Sequence, residues 1–211
     1  MDCPLCASSS TLFSKDKVRS FFRCSHCDLI FVPKNEHLNA ADEKKEYDQH
    51  QNGPEDLKYR EFLSQVLVPL QKYLTPEMKG LDFGSGPGPT LNVILKEKGF
   101  SIQCYDPYYA NDPKLLEKQY DFVTCTEVVE HFSCPKKSWK LLTSLVKKGG
   151  YLAIMTLFSD LQTKESFPAW WYKNNKTHIA FYSLKTLKWI AKQMNLELLY
   201  SDNRTALFIH K

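Results

Sequence analysis

The sequence holds little glycine, no long apolar run and no strong excess of charge. No stretch approaches the roughly 20 apolar residues that a membrane-spanning helix needs, so no membrane partner is expected. The first residues carry no apolar signal core, which predicts a protein retained in the cytoplasm. A net charge of +4 is too small to announce a nucleic-acid binder. Lys136, Lys137, Lys140, Lys147 and Lys148 do cluster without an acidic residue among them. They read as a solvated helix face, with nucleic-acid contact left open. Only 8 glycines occur in 211 residues, so the grouping of Gly84, Gly86 and Gly88 is informative. With 43% hydrophobic and 25% charged residues, the chain has the makings of one globular core plus a small appendage.

Cysteine is present in an odd number, 7, which together with the missing signal argues for a reducing compartment and against a disulfide scaffold. Cys104, Cys125 and Cys134 are scattered; Cys125 and Cys134 read as small buried hydrophobes. The other four, Cys3, Cys6, Cys24 and Cys27, form C-x2-C-x17-C-x2-C. Two such knuckles supply four thiolates to a structural zinc ion, with His26 outside the ligand set. Residues 1–33 therefore read as a zinc ribbon, with short strands at Thr11–Phe13 and Phe21–Arg23. Four thiolates leave no open position for catalysis, so the module's role is structural or recognitive. Lys15, Lys17, Arg19 and Arg23 interleave with Phe21 and Phe22, a pattern that suits RNA contact and equally suits packing onto the rest of the chain.

Residues 34–56 read as a polar linker, helical around Asp42–Tyr47. From 57 to 211 strands and helices alternate. A helix begins at Leu57 and is expected to stop at Pro76. Leu81-Asp82-Phe83 is a buried strand, followed by a glycine turn and a helix over Thr90–Glu97 ended by Gly99. Strands follow at Ser101–Tyr105 and Tyr120–Cys125, a helix at Ser138–Val146 closed by Gly149-Gly150, a strand at Tyr151–Met155 and a helix at Leu184–Met194. Leu196–Tyr200 and Ala206–His210 flank a turn and form a terminal hairpin. The pattern predicts an α/β fold with a doubly wound, mostly parallel sheet and an antiparallel hairpin at the end.

The strand–glycine–helix junction lets a ligand approach the backbone, and the helix start adds N–H donors. Pro89 stands where a dinucleotide fingerprint has its third glycine. What remains, D-x-G-x-G-x-G through Asp82, Gly84, Gly86 and Gly88, resembles the first motif of class I S-adenosylmethionine (SAM) dependent methyltransferases. The segment from Tyr120 to Phe132, YDFVTCTEVVEHF, is similar to the YDxVxxxEVxEH segment of the ubiquinone-biosynthesis O-methyltransferase type. A third block, Thr177-His178 through Ser183, resembles the stretch before the last large helix of those enzymes. The resemblance spans roughly Tyr59 to Phe208. It implies SAM as cofactor, a Rossmann-like fold, Asp82, Gly84 and Gly86 at the amino-acid end of SAM, Ser85 and Gly88 also among the cofactor-binding residues, Asp106 on the ribose, and Thr126 and Glu127 in the pocket. Only 14 residues separate Asp106 from Asp121, so the third strand of that fold is expected to be shortened or lost.

Methyl transfer from a sulfonium is a direct displacement that needs alignment and, for some acceptors, a base. The candidate catalytic residues are His131, His178 and Glu130. Glu127, Glu130 and His131 share one face where the strand opens into a helix. With His178 they form a set that in some relatives holds a divalent cation; the competing reading is a metal-free histidine base. Trp170, Trp171, Tyr172, Phe181 and Tyr182 offer walls for an acceptor, and residues 158–167 offer a lid. The expected activity is methylation of an O or N atom of a small metabolite. The alternatives are a tRNA or rRNA acceptor reached through the ribbon, and a non-catalytic SAM-binding protein. No pattern speaks to the oligomeric state.

Overall fold

A computed structural model describes residues 1–49 and 52–211. His50 and Gln51, within the expected linker, lie outside the described residues. Two sheets organise the chain. The larger has six strands: β4 (Lys79–Phe83), β5 (Ser101–Tyr105), β6 (Tyr120–Thr126), β7 (Val146–Met155), β9 (Leu196–Ser201) and β10 (Thr205–His210), in the order β5-β4-β6-β7-β10-β9. The first four are parallel, while β10 runs antiparallel between β7 and β9. This is the Rossmann-like sheet that the sequence resemblance implies, with its third strand missing. The residues between Asp106 and Tyr120 make only a short 3-10 turn at Pro113–Glu117 before β6 begins. Strands are added outward from β4 in both directions, β5 on one side and β6 on the other, and a ligand crevice forms at such a point outside the carboxyl ends of the strands.

Side-chain alternation gives the sheet two buried faces. Phe122, Ala153 and Met155 pack with helices α2 (Leu57–Gln71) and α3 (Thr90–Glu97) on one side. Val123, Cys125, Leu152 and Ile154 pack with α4 (Pro135–Ser144) and α5 (Leu184–Gln193) on the other. Local signals set the helix ends. The Asp56 carboxylate accepts from the N–H groups of Lys58 and Tyr59 at the start of α2, and a Ser183–Thr186 capping box starts α5. Gly99 takes the left-handed conformation after α3, φ +86°.

Three details depart from the sequence reading. Helix α2 ends at Gln71, before Pro76, and carries Pro69 inside it; the Gln65 carbonyl that loses its N–H partner accepts from Thr205 Oγ1 at 3.4 Å. Gly149-Gly150 does not close α4. The pair lies within β7, and Gly149 has φ +79° where the register with β6 shifts. Cys134 is exposed at the start of α4, while Cys125 is fully buried.

The smaller sheet contains β1 (Ser10–Lys15), β2 (Ser20–Cys24), β3 (Ile30–Phe31) and β8 (Ala180–Phe181), in that order. The first three belong to the ribbon, but β8 comes from the far end of the chain, pairing Ile30 with Phe181 and Phe31 with Ala180. Phe13, Phe21 and Ile30 share a core with Phe167, Trp170 and Phe181. Phe21 is fully buried, its ring 5.0 Å from that of Phe167. Arg19 is buried too. It donates to the carbonyls of Asn175 (3.1 Å), His178 (3.2 Å) and Lys173. Arg19 and Phe21 thus face inward and fasten the ribbon to the segment that precedes β8. Helix α1 (Ala40–Tyr47), capped by Asn39, then leads the chain back across the carboxyl edge of the large sheet. Among the described residues no helix is long and apolar enough to cross a membrane.

Candidate active site at the carboxyl edge of the sheet

A cavity of about 740 Å³ opens at the carboxyl ends of β4, β5 and β6. Asp82, Gly84, Ser85, Gly86, Gly88, Asp106, Thr126, Glu127, His131 and His178 all line it. Glu130 does not; it is fully buried behind the wall.

The glycine turn is shaped by three different demands. Gly84 (φ +80°) is required because a Cβ there would lie 2.4 Å from Val128. Gly88 clears the backbone of Asn52, since its Cβ would meet that carbonyl oxygen at 2.6 Å. Gly86 (φ +63°) has open space where a Cβ would stand, so it is the glycine that leaves room for a ligand. The turn's N–H groups are largely engaged. Gly84 donates to the Tyr105 carbonyl at 2.7 Å, and Gly86 donates to Asp106 Oδ2 at 2.9 Å. Asp106 Oδ1 accepts from the N–H groups of Tyr108 (2.8 Å) and Tyr109 (3.1 Å). The carboxylate is thereby fixed in orientation, with an acceptor position remaining on Oδ2. Asp82 is buried and accepts from Thr124 Oγ1 at 2.8 Å. Burial outweighs that bond and pushes its carboxyl up to about 7.

The opposite end is built from the η-turn after β6 and the segment before β8. His131 Nδ1 lies 3.0 Å from the Thr177 carbonyl, and His178 Nδ1 lies 2.8 Å from the Tyr172 carbonyl. A carbonyl only accepts, so in both neutral rings Nδ1 carries the proton and the basic lone pair is on Nε2. The two rings meet edge to face with centroids 4.9 Å apart. Behind them Tyr172 Oη sits 2.6 Å from Glu130 Oε1, 3.2 Å from Glu127 Oε2 and 3.1 Å from Thr156 Oγ1. One hydroxyl proton cannot serve two carboxylates. Burial, with repulsion from Glu130 at Glu127, pushes both carboxyls above the usual range despite that hydroxyl. Glu127 takes a left-handed backbone (φ +53°) and turns its carboxylate to Arg204 Nη1 at 2.9 Å.

Of the expected four-residue cation set, the ligand atoms of Glu130, His131 and His178 lie within 4.8 Å of one another, while Glu127 stands apart with Arg204. Of the expected acceptor walls, Trp171 and Tyr172 line the cavity; Trp170, Phe181 and Tyr182 are core residues. Residues 158–167 do not line it, and Phe167 is buried in the ribbon junction. Sequence reasoning missed Glu43 and Tyr47 of α1, and Arg204. Tyr47 stands edge-on to His131 (5.2 Å), and Glu43 accepts from the hydroxyls of Tyr47 (2.9 Å) and Tyr108 (3.0 Å). The tyrosine four residues after the glutamate was a visible helix-face pair, but nothing local tied it to the cavity.

At the N-terminus, the Sγ atoms of Cys3, Cys6, Cys24 and Cys27 lie within 4.8 Å of one another. Cys3 and Cys27 are 3.6 Å apart and Cys6 and Cys24 3.4 Å apart. A zinc tetrahedron with 2.3 Å bonds has edges of about 3.8 Å, so the four sulfurs fit one. The N–H groups of His26 and Cys27 point at Cys24 Sγ, at 3.4 and 3.5 Å, as a thiolate would require. His26 is exposed and stays outside the set.

Residues 55–201 match the family model of a methyltransferase domain. The chain belongs to this family. Ubiquinone biosynthesis O-methyltransferase of Proteus mirabilis is 30% identical over 81 residues, 38% of this chain and 33% of that protein. The methyltransferase domain described here thus comes in a chain that spans about a third of the length of the curated relatives it matches. Among solved structures, a protein from Pyrococcus horikoshii superposes with a TM-score of 0.55 at 14% identity, over 79% of this chain and 99% of that one. A SAM-dependent methyltransferase from Archaeoglobus fulgidus does so with a TM-score of 0.51 at 23% identity, over 65% of this chain and 69% of that one. Both likenesses bear on the fold of the methyltransferase domain.

Proposed function

We propose that the chain transfers the methyl group of SAM to an oxygen or nitrogen atom of a small acceptor. The observation that carries this reading is one cavity with two chemically distinct ends. Asp82, Gly86 and Asp106 lie at one end, and two histidines with basic Nε2 atoms lie at the other. The fit to SAM is electrostatic as well as steric. Glu43, Asp82, Asp106 and Glu127 line the cavity, and they suit a ligand with a sulfonium and an ammonium group. A volume of about 740 Å³ is in the range of small-molecule sites. Bound SAM supplies an electrophilic methyl group. The chain's own residues then do four things. Asp106 accepts from a ribose hydroxyl through Oδ2. Asp82 and the open side of Gly86 bound the methionine end. Trp171, Tyr172 and Tyr47 exclude water around the acceptor. His131 or His178 removes the acceptor proton through Nε2.

The metabolite reading is favoured over RNA because Arg19 and Phe21, the centre of the ribbon's cation–aromatic interleave, are buried in its junction with the rest of the chain. In this reading Cys3, Cys6, Cys24 and Cys27 hold a zinc ion that folds the ribbon, and the chain works in the cytoplasm. A second reading of the histidine end is favoured by the Glu130, His131 and His178 cluster, which would hold a divalent cation against an acceptor hydroxyl. Labelled methyl groups from SAM, offered with cell extract split into small molecules, RNA and protein, test the proposal. Label is expected in the small-molecule fraction; label in RNA overturns the acceptor class. SAM binding without any transfer overturns catalysis. Transfer abolished by His131→Gln with SAM affinity kept supports the base, and loss of transfer to a chelator that spares the zinc supports the cation.

A further inference from the structure

Among the described residues that line the cavity, Arg204 is the only lysine or arginine. It sits in the turn between β9 and β10, and its place is fixed from several sides. Asp202 Oδ1 accepts from the N–H groups of Arg204 (2.7 Å) and Thr205 (2.6 Å), and the Arg204 carbonyl accepts from Thr156 N–H at 3.0 Å. The guanidinium lies over Phe62 of α2 (5.1 Å) and near Tyr172 (5.9 Å), with its side chain 12% exposed. Of its five donors one is engaged, from Nη1 to Glu127 Oε1.

A methionine end carries both an ammonium and a carboxylate. The acids of the cavity serve the ammonium, and none of them can take the carboxylate. The glycine turn cannot take it through Gly84 or Gly86 either, because those N–H groups already go to Tyr105 and Asp106. Tyr59 of α2 lines the cavity together with Asp82, Glu127 and Arg204. Beyond Asp82 and Gly86, the cation that this cavity offers to a carboxylate is therefore Arg204.

We propose that Arg204 binds the α-carboxylate of SAM. This rests on the SAM reading above. On binding, the Glu127–Arg204 pair exchanges partners: the ligand carboxylate takes guanidinium donors while Glu127 turns to the ligand ammonium. A planar guanidinium can receive the carboxylate with two parallel bonds, as an ammonium cannot.

Calorimetry with SAM and with decarboxylated SAM tests this on the full chain. The decarboxylated compound keeps the sulfonium and the ammonium and has one more net positive charge, so an acidic cavity without Arg204 would prefer it. The wild type is expected to bind SAM about ten- to hundredfold more tightly, the size of a charged hydrogen-bonded contact. Arg204→Met should abolish that preference by weakening SAM alone, and Arg204→Lys should restore part of it. Equal or tighter binding of decarboxylated SAM by the wild type overturns the assignment without any variant. Equal weakening of both ligands by Arg204→Met overturns it as well, since Arg204 would then only hold the shape of the cavity. Failure of the wild type to bind either compound would instead sink the SAM reading itself.

Discussion

Replacing Arg19 with Met should cost far more than a surface substitution, although Arg19 touches neither end of the cavity. Its guanidinium is 5% exposed and donates to the carbonyls of Lys173, Asn175 and His178. Asp16 lies 3.8 Å away as its counter-charge. Met fills a similar volume but leaves the three carbonyls without that donor and takes one counter-charge from Asp16, which keeps its bonds from the Val18 and Arg19 N–H groups. Each stranded buried acceptor costs about 1–3 kcal/mol, and removal of one member of a buried charged cluster costs about 3–5 kcal/mol in all, because water relieves part of the sum. For a chain of this size that is a fall in Tm of roughly 6–20 °C. Urea unfolding followed by tryptophan fluorescence gives the stability difference, and hydrogen exchange gives its location. The amides around 173–179 should lose protection first, while those of α3 and β5 keep it, so SAM affinity should change little. A variant within about 1 kcal/mol of wild type, well below the penalty for stranded acceptors, would refute the idea that Arg19 fastens the ribbon to the histidine-bearing segment.

Three further outcomes are expected. Asp106→Asn keeps the size but loses the negative charge that accepts from a ribose hydroxyl, so the Kd for SAM should rise about 10–100-fold by calorimetry; an unchanged Kd would exclude the ribose role. Asp82 has its folded-state pKa raised by burial to about 7, so the folded chain binds its proton more tightly than the unfolded chain does. Stability of the ligand-free protein should therefore fall as pH rises from about 4 to about 7, and Asp82→Asn should flatten that slope in urea titrations; a slope of the same size in the variant would contradict the assignment. Metal analysis in reducing buffer should find one zinc per chain, and Cys27→Ser should lose it together with the protection of β1 and β2; a metal-free wild type with the same protection would remove the zinc.

Much of the architecture could be read from local pattern. Apolar runs and turn punctuation placed β4, β5, β6 and the last hairpin to within a residue or two: β4, β6 and β10 are mostly buried and leave little freedom in residue choice, while the edge strands β5 and β9 are marked by the turns that bound them. Gly84, Gly86, Asp106 and the YDFVTCTEVVEHF segment mark the cavity edge for the same reason: each sits at a strand end. What escaped was what depends on distant partners. Two-residue strands such as β3 and β8 have no period to detect. Arg19 reads as a surface cation until three carbonyls some 150 residues later are folded over it. Glu43 and Tyr47 look like a solvated helix, and Arg204 looks like a turn residue, until the chain crossing brings them to one cavity.

The short pairing of β3 with β8 also sets an order of events during synthesis. Residues 1–31 are made well before residues 180 and 181 and can gather their four thiolates, but their sheet stays one strand short until that later strand follows. Closing a loop of that length costs about 4 kcal/mol in chain entropy beyond a constant, so the pairing must wait for most of the large sheet to bring its ends together. The ribbon sheet, earlier in the chain, is then completed after the large sheet. Until residues 167–181 are made, Phe13, Phe21 and Ile30 lack the partners that cover them.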